Sequence, residues 1–184
     1  MQTLKTSPSP GAFASSMEGR IAAIARAHSL LTEKGGKIEA SLRAFIETEL
    51  KPYDHGTNFV IGGAEVALMP KLGLAMAMAI HELASNAAKY GALSTPTGRL
   101  AVTWQMSGNG EGRTLNLTWE ETGGPAVEQP SRRGFGTTLI ERTLQHEFDA
   151  VVRREFLPLG LRCTIEIPLT AEAGHTLQEN ESEA

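Results

Sequence analysis

The sequence predicts a two-layer α/β sandwich with a mixed, largely antiparallel sheet, preceded by a helical segment. Three observations predict it. Apolar residues recur at helical spacing before Leu50, a long helix rich in alanine and methionine runs from Lys71 to about Tyr90, and four later segments read as strands. The chain of 184 residues is long enough for one sizeable core, or for one compact domain with a helical appendage.

In order along the chain, TSPSPG reads as a linker, because its prolines interrupt helix and its serines favour turns. Met17, Ile21, Ile24, His28 and Leu31 then follow at alternating steps of four and three, the seam of a helix that packs on another helix, and Gly35-Gly36 ends it. A second helix is expected from about Lys37 to Leu50, with Ile38, Leu42, Phe45 and Ile46 on one side and Lys51-Pro52 closing it. The segments TNFVI and EVALM flank Gly62-Gly63 as in a hairpin. Pro70 opens the long helix and Gly91 is placed to cap it. RLAVTWQ and TLNLTWE alternate strictly around a turn containing SGNGEG and should pair antiparallel. A glycine- and proline-bearing loop, 123–133, leads to a helix from about Thr137 to Phe148, then to the strands AVVRREF and LRCTIEIPL. In the last of these, Leu161, Cys163, Ile165, Ile167 and Leu169 share one face. The acidic tail from Ala171 lacks periodicity and is expected to be disordered.

Composition excludes several classes. The net charge of -4 arises from 17 basic and 21 acidic residues with no basic cluster, so nucleic acid is not an expected partner. One cysteine, Cys163, rules out an internal disulfide and suits a reducing compartment such as the cytoplasm. Glu65, Lys71, His81 and Glu82 interrupt the apolar stretch around Ala64–Ala88, and the start lacks an apolar signal core, so no direct membrane contact is expected.

Three segments carry the chemistry. In HELASNAAKYGALS, residues 81–94, Glu82, Asn86 and Lys89 sit at i, i+4 and i+7, a polar stripe opposite Leu72, Met76, Ile80, Leu83 and Ala87. A carboxylate, an amide oxygen and an ammonium in one line suit Mg²⁺-bound phosphates. The same line would also serve as the solvated face of an amphipathic helix. In TLNLTWEETGGP, Glu121 shares the inward phase of Leu115, Leu117 and Trp119. A buried carboxylate needs donated hydrogen bonds, which an adenine amino group can supply, and Gly123-Gly124 would let a ligand approach the backbone. Alternatively the strand ends at Trp119 and Glu121 is an ordinary turn acid. In RRGFGTTLIERTL, Gly134-Phe135-Gly136 precede the helix that begins at Thr137-Thr138, with Arg132 and Arg133 upstream. Unpaired N–H groups at such a start attract an anion, although a plain loop-to-helix junction reads the same way.

Taken together and in this order, the three segments resemble the HWE family of histidine kinases, whose ATP-binding fold is shared with gyrase, the Hsp90 chaperone and MutL. HELASNAAKYGALS looks like that family's N box with its defining histidine at His81, Trp119 and Glu121 match its W-x-E motif, and GFGTTLIER matches its glycine box. The resemblance runs from about Ala12 to Leu169. It implies ATP and Mg²⁺ as cofactors and Asn86 as the metal ligand. Glu121 would take the adenine-binding place, and Glu82 would be the acid near the γ-phosphate, with His81 orienting beside it. The nucleotide would further be lined by Lys89, Tyr90, Gly123, Arg133, Gly134, Phe135, Gly136 and Thr137, with 123–133 as a short lid.

The resemblance also divides the chain into a partial dimerisation and phosphotransfer segment, 1–34, an ATP-binding catalytic domain, 35–170, and the tail, 171–184. It implies a response regulator as partner, a homodimer through the N-terminal helix, and a separate sensor or phosphoacceptor domain. The acceptor histidine of the family lies in an upstream H-R-V-K-N-like box, which these residues lack. Phosphate is therefore expected to go to a histidine in trans or on a missing upstream helix. His81-Glu82-Leu83 imitates another family's acceptor box but has Asn86 where that box has proline, and His28 reads as a packed seam residue. The other readings are a response-regulator-binding adaptor with a degenerate site, which intact Glu82, Asn86 and Glu121 oppose, and a serine kinase or ATPase of the same fold.

Overall fold

The computed structural model describes residues 10–32, 39–54, 59–109, 112–126, 135–158, 160–170 and 173–176. Its elements are α1 (Pro10–Thr32), β1 (Ala40–Ser41), α2 (Leu42–Leu50), β2 (Phe59–Gly63), β3 (Val66–Leu68), α3 (Pro70–Tyr90), β4 (Arg99–Ser107), β5 (Thr114–Thr122), α4 (Phe135–Phe148), β6 (Val151–Leu157), β7 (Gly160–Pro168) and β8 (Gly174–Thr176). Five strands form a sheet in the order β2-β4-β5-β7-β6, and β1-β3-β8 form a small second sheet. The large sheet is antiparallel except where β2 runs parallel to β4. The predicted sandwich with a mixed, largely antiparallel sheet is therefore the fold observed.

Strict alternation explains the centre of the sheet. Leu100, Val102 and Trp104 on β4 stand opposite Glu121, Trp119 and Leu117 on β5, and Cys163 and Ile165 of β7 continue the same face. The apolar residues among these join Leu72, Met76, Ile80, Leu83 and Ala87 of α3 in one buried cluster. The small residues of α3 bring its partners close: a Cβ on Gly73 would lie 2.8 Å from the Phe45 ring of α2. Gly91 takes the C-cap position of α3, as its place in the sequence implied, and its N–H bonds to the Ala87 carbonyl.

Five expectations change. The pair TNFVI and EVALM is not a hairpin, because β2 joins β4 in the large sheet while β3 joins β1 and β8 in the small one. Gly63 lies against the Trp104 ring, with no room for a Cβ, and Trp104 Nε1 donates to the Ala64 carbonyl at 2.7 Å, turning the chain from one sheet to the other. The second helix begins at Leu42 and not Lys37, since Ala40 and Ser41 pair as a strand with Leu68 and Ala67; Gly35, Gly36, Lys37 and Ile38 lie outside the described residues. The tail contributes β8, whose Gly174 fits where a Cβ would stand 2.5 Å from the Ala67 carbonyl oxygen. Pro10 and Gly11, read as linker, belong to α1, where a proline in the first turn loses no helical hydrogen bond.

The fifth change concerns α1. Its buried face is Arg20, Ala23, Ala27 and Leu31, whereas Ile21 is 62% and Ile24 is 42% exposed and His28 is exposed as well. Alanines permit close approach to α3, and the bulkier Ile21, Ile24 and His28 turn outward while Met17 stays half-buried. His28 is therefore not a packed seam residue in the single chain.

Candidate functional site

The polar stripe of α3 has two unlike halves. Glu82 is nearly covered by α1, and Arg20 Nε donates to its Oε1 at 2.5 Å. His81 turns the same way: Nδ1 lies 3.0 Å from Glu49 Oε2, and a Cβ on Gly19 of α1 would stand 3.1 Å from His81 Nε2. Glu49 is 2% exposed and also receives both arms of Arg26, Nε to Oε1 at 2.9 Å and Nη2 to Oε2 at 2.6 Å. Burial pushes the Glu49 carboxyl up, but the bonds from His81 and Arg26 outweigh it and hold the group below the usual carboxylate range. An ionised Glu49 accepts, so His81 Nδ1 carries the proton in this contact.

One turn and more beyond, the stripe opens. Asn86 is half-buried, Lys89 is exposed and Tyr90 is 72% exposed. Just past the helix end lies Glu121. It is 2% exposed on β5, its Oε1 accepts from Trp119 Nε1 at 2.9 Å, and its Oε2 accepts from the Ala92 N–H at 2.8 Å. Glu121 is thus a strand residue in the inward phase and not a turn acid. Burial pushes its carboxyl above the usual range, opposed by those two donors. A carboxylate offers about four acceptor positions, and the described residues use two of them.

Glycines bring these parts together. A Cβ on Gly91 would sit 2.0 Å from Glu121 Oε2, and one on Gly124 would sit 2.9 Å from Ala92. Gly123 has φ +67° and its Cβ would meet the Thr97 carbonyl oxygen at 2.7 Å. The sequence suggested that Gly123-Gly124 make room for a ligand. The structure shows the vacated Cβ directions filled by the chain's own backbone, which seats the Glu121 turn on the exit of α3.

Of the glycine-box residues, Arg132, Arg133 and Gly134 lie outside the described residues, as does most of the expected lid. Phe135, Gly136 and Thr137 form the first turn of α4, which packs on α3. Lys71 at the start of α3 pairs with Glu147 near the end of α4 at 3.1 Å, so the glycine-bearing turn is at the end of α4 remote from that tie, roughly 18 Å along the helix. Among the described residues no group of three acidic, histidine or cysteine side chains gathers as a metal cage. Mg²⁺ does not need one, since it keeps waters and takes substrate phosphates with one or two protein oxygens.

Arg20, Arg26 and Glu49 carry contacts that the sequence reading did not anticipate. A signal was present for Arg20: it occupies the buried phase of α1, in step with Ala23, Ala27 and Leu31, where a guanidinium requires a partner.

Comparison with known proteins bears on the whole arrangement. The family model described as HWE histidine kinase matches residues 1–65. The chain is 32% identical over 173 residues to a blue-light-activated histidine kinase of Brucella anthropi, covering 93% of this chain and 35% of that protein. It is 30% identical over 165 residues to a blue-light-activated histidine kinase of Rhizobium johnstonii, covering 90% of this chain and 47% of that one. The chain thus spans between a third and a half of the length of these curated relatives. The solved histidine kinase domain of the Erythrobacter litoralis EL346 blue-light activated histidine kinase matches with a TM-score of 0.65 at 18% identity, over 85% of this chain and 76% of that one. The catalytic domain of the histidine kinase ThkA matches with a TM-score of 0.52 at 14% identity, over 71% of this chain and 94% of that one. At such identities the structural likeness shows the fold.

Proposed function

Because the chain belongs to the HWE histidine kinase family, we propose that it is the ATP-binding catalytic module of a two-component sensor kinase. It transfers the γ-phosphate of ATP to a histidine supplied in trans or on an upstream helix, for relay to a response regulator. The observation that carries this reading is the meeting of Glu121, from the middle of the sheet, with the exit of the helix that bears Asn86, through the 2.8 Å bond to Ala92.

Each residue has a definite task. Glu121 takes the adenine amino group on a free acceptor position, while Trp119 and Ala92 hold its carboxylate still. Asn86 supplies an oxygen to Mg²⁺, which when bound neutralises phosphate charge. Lys89 places its ammonium near the phosphates, and Tyr90 lies beside it on the same helix. The first turn of α4, with Phe135, Gly136 and Thr137, offers N–H groups to the triphosphate, and Gly123, Arg133 and Gly134 border it from the lid. Glu82 orients or deprotonates the attacking imidazole. The outward Ile21 and Ile24 of α1 support homodimerisation through that helix, with the acceptor and sensor in other segments. Among the described residues no helix is long and apolar enough to cross a membrane; the cytoplasm is the proposed place of action, which a single cysteine, Cys163, suits.

Calorimetric titration with Mg²⁺ and a non-hydrolysable ATP analogue tests the assignment. The wild-type chain should bind, and Asn86→Ala should lose the Mg²⁺-dependent part of the affinity while keeping the wild-type unfolding midpoint. Equal affinity in the two proteins would remove Asn86 from the site.

A further inference from the structure

Four charged side chains and a histidine lie between α1 and the rest of the chain in two adjacent groups: Arg20 on Glu82, and Arg26 on Glu49 on His81. Glu49 and Arg20 are buried and Glu82 nearly so, a burial of charge that is tolerated only because every member is paired. Its location is specific. The layer covers the His81–Glu82 end of the polar stripe and stops short of Asn86 and Lys89. Two of the five members, His81 and Glu82, belong to the helix that would serve phosphoryl transfer. The other three come from α1 and α2.

We propose that Arg20, Arg26 and Glu49 are positioning residues that act on the reaction through Glu82 and His81, forming a charged latch that keeps Glu82 out of use while α1 is docked. The proposal rests on the nucleotide-site reading given above. A carboxylate whose Oε1 holds a guanidinium at 2.5 Å cannot at the same time orient an attacking imidazole through that oxygen. Engagement of Glu82 through that oxygen at the γ-phosphate end therefore requires Arg20 to let go. His81 serves the docking, since its Nδ1 is committed to Glu49 and its Nε2 edge faces Gly19. Arg26 and Glu49 keep α1 in register when the Arg20 pair opens, so release can be a local shift and not a loss of the fold.

Linkage makes the latch measurable. If triphosphate binding opposes docking of α1, then weakening the docking must strengthen triphosphate binding by the same factor. In the full chain, Arg20→Ala should tighten binding of a Mg²⁺-bound non-hydrolysable ATP analogue by roughly tenfold and leave ADP affinity within about twofold, a coupling inside the usual range. Arg20→Lys, which keeps the ion pair, should stay near wild type. In the wild-type chain, saturating Mg²⁺-bound analogue should accelerate amide hydrogen exchange across residues 14–30, and ADP should not. Arg26→Ala, which loosens α1 without touching Glu82, should shift the triphosphate-to-diphosphate ratio in the same direction.

The outcomes separate. Absence of any nucleotide binding by the wild-type chain would overturn the site reading and the latch with it. Binding by the wild type with an unchanged ratio in both variants, or with slower exchange in α1, would overturn the latch alone. Weaker triphosphate binding in Arg20→Ala would overturn it too and make Arg20 a phosphate contact. Should Arg20→Ala fail to fold, the wild-type exchange experiment and Arg26→Ala decide.

Discussion

The two halves of the α3 polar stripe are built from the same kinds of residue yet occupy opposite situations. At His81 and Glu82 both side chains are engaged by partners from α1 and α2, while at Asn86, Lys89 and Tyr90 the surface opens. One face of one helix therefore divides into a docked portion and a more open portion. Periodicity places residues on a face, but only packing decides what that face meets. The comparison predicts that substitutions near the docked half change stability, and those in the open half change binding without it.

The largest expected effect lies just past the open end, at the sheet residue that supports it. Trp119 is wholly buried and donates to Glu121 at 2.9 Å. Trp119→Ala should lower the unfolding free energy by about 3–5 kcal/mol, the usual loss for a large core side chain. Trp119→Phe keeps most of the volume and removes the donor, so it should cost about 1–3 kcal/mol and weaken adenine-nucleotide binding disproportionately. Denaturant unfolding and nucleotide titration measure the two parts. A Phe variant with wild-type nucleotide affinity would show that the indole bond serves the fold alone.

An intermediate effect belongs to the docked half. Glu49→Gln leaves Arg26 and His81 facing a neutral amide. It should destabilise the chain by about 1–3 kcal/mol at neutral pH, discounted because Arg26 is partly exposed. The pH dependence has a definite sign. A carboxyl held below its unfolded value of 4.5 contributes stability that is present above that value and lost as pH falls through the folded one. The difference between wild type and Glu49→Gln should thus be constant from neutral pH to about 5, then vanish on further acidification. A gap that persists undiminished in acid would mean that packing, not charge, holds the docked half.

Much of this architecture was legible in the sequence because it depends on local rules. Alternation in RLAVTWQ and TLNLTWE fixes which side chains face inward, and it placed Glu121 beside Trp119 in the core phase. Pro70 marks the start of α3 by backbone chemistry alone, while Gly91 at its end also leaves room for the Glu121 carboxylate, which a Cβ would meet at 2.0 Å. What was not legible depends on distant partners. The choice between two faces of α1, the Ala23 and Ala27 stripe or the Ile21 and Ile24 stripe, is made by the alanine-rich surface of α3. The separation of β2 from β3 is made by Trp104, a long way along the chain. His81 was readable as a residue of the nucleotide helix, but its partner Glu49 sits on another helix whose approach no pattern in the sequence announces. The glycines at 123 and 124 were noticed as room for a ligand, and their Cβ directions meet the chain's own backbone, a distinction that a missing Cβ does not make in the sequence.

The smallest structural effect, and the sharpest contrast with Glu49, is expected at Lys89. Its side chain is exposed and lies in the last turn of α3, where a cation also suits the helix dipole. Lys89→Ala should change the unfolding free energy by no more than about 0.5 kcal/mol, as for most surface substitutions. Its effect should appear in binding instead. A single ammonium facing a triphosphate across solvent is screened by salt, so the variant should lose several-fold in affinity at low ionic strength and much less at high. A loss that is independent of salt would place the ammonium in a desolvated contact. No loss at any ionic strength would return Lys89 to the solvated face of the helix and leave Asn86 as the end of the working stripe.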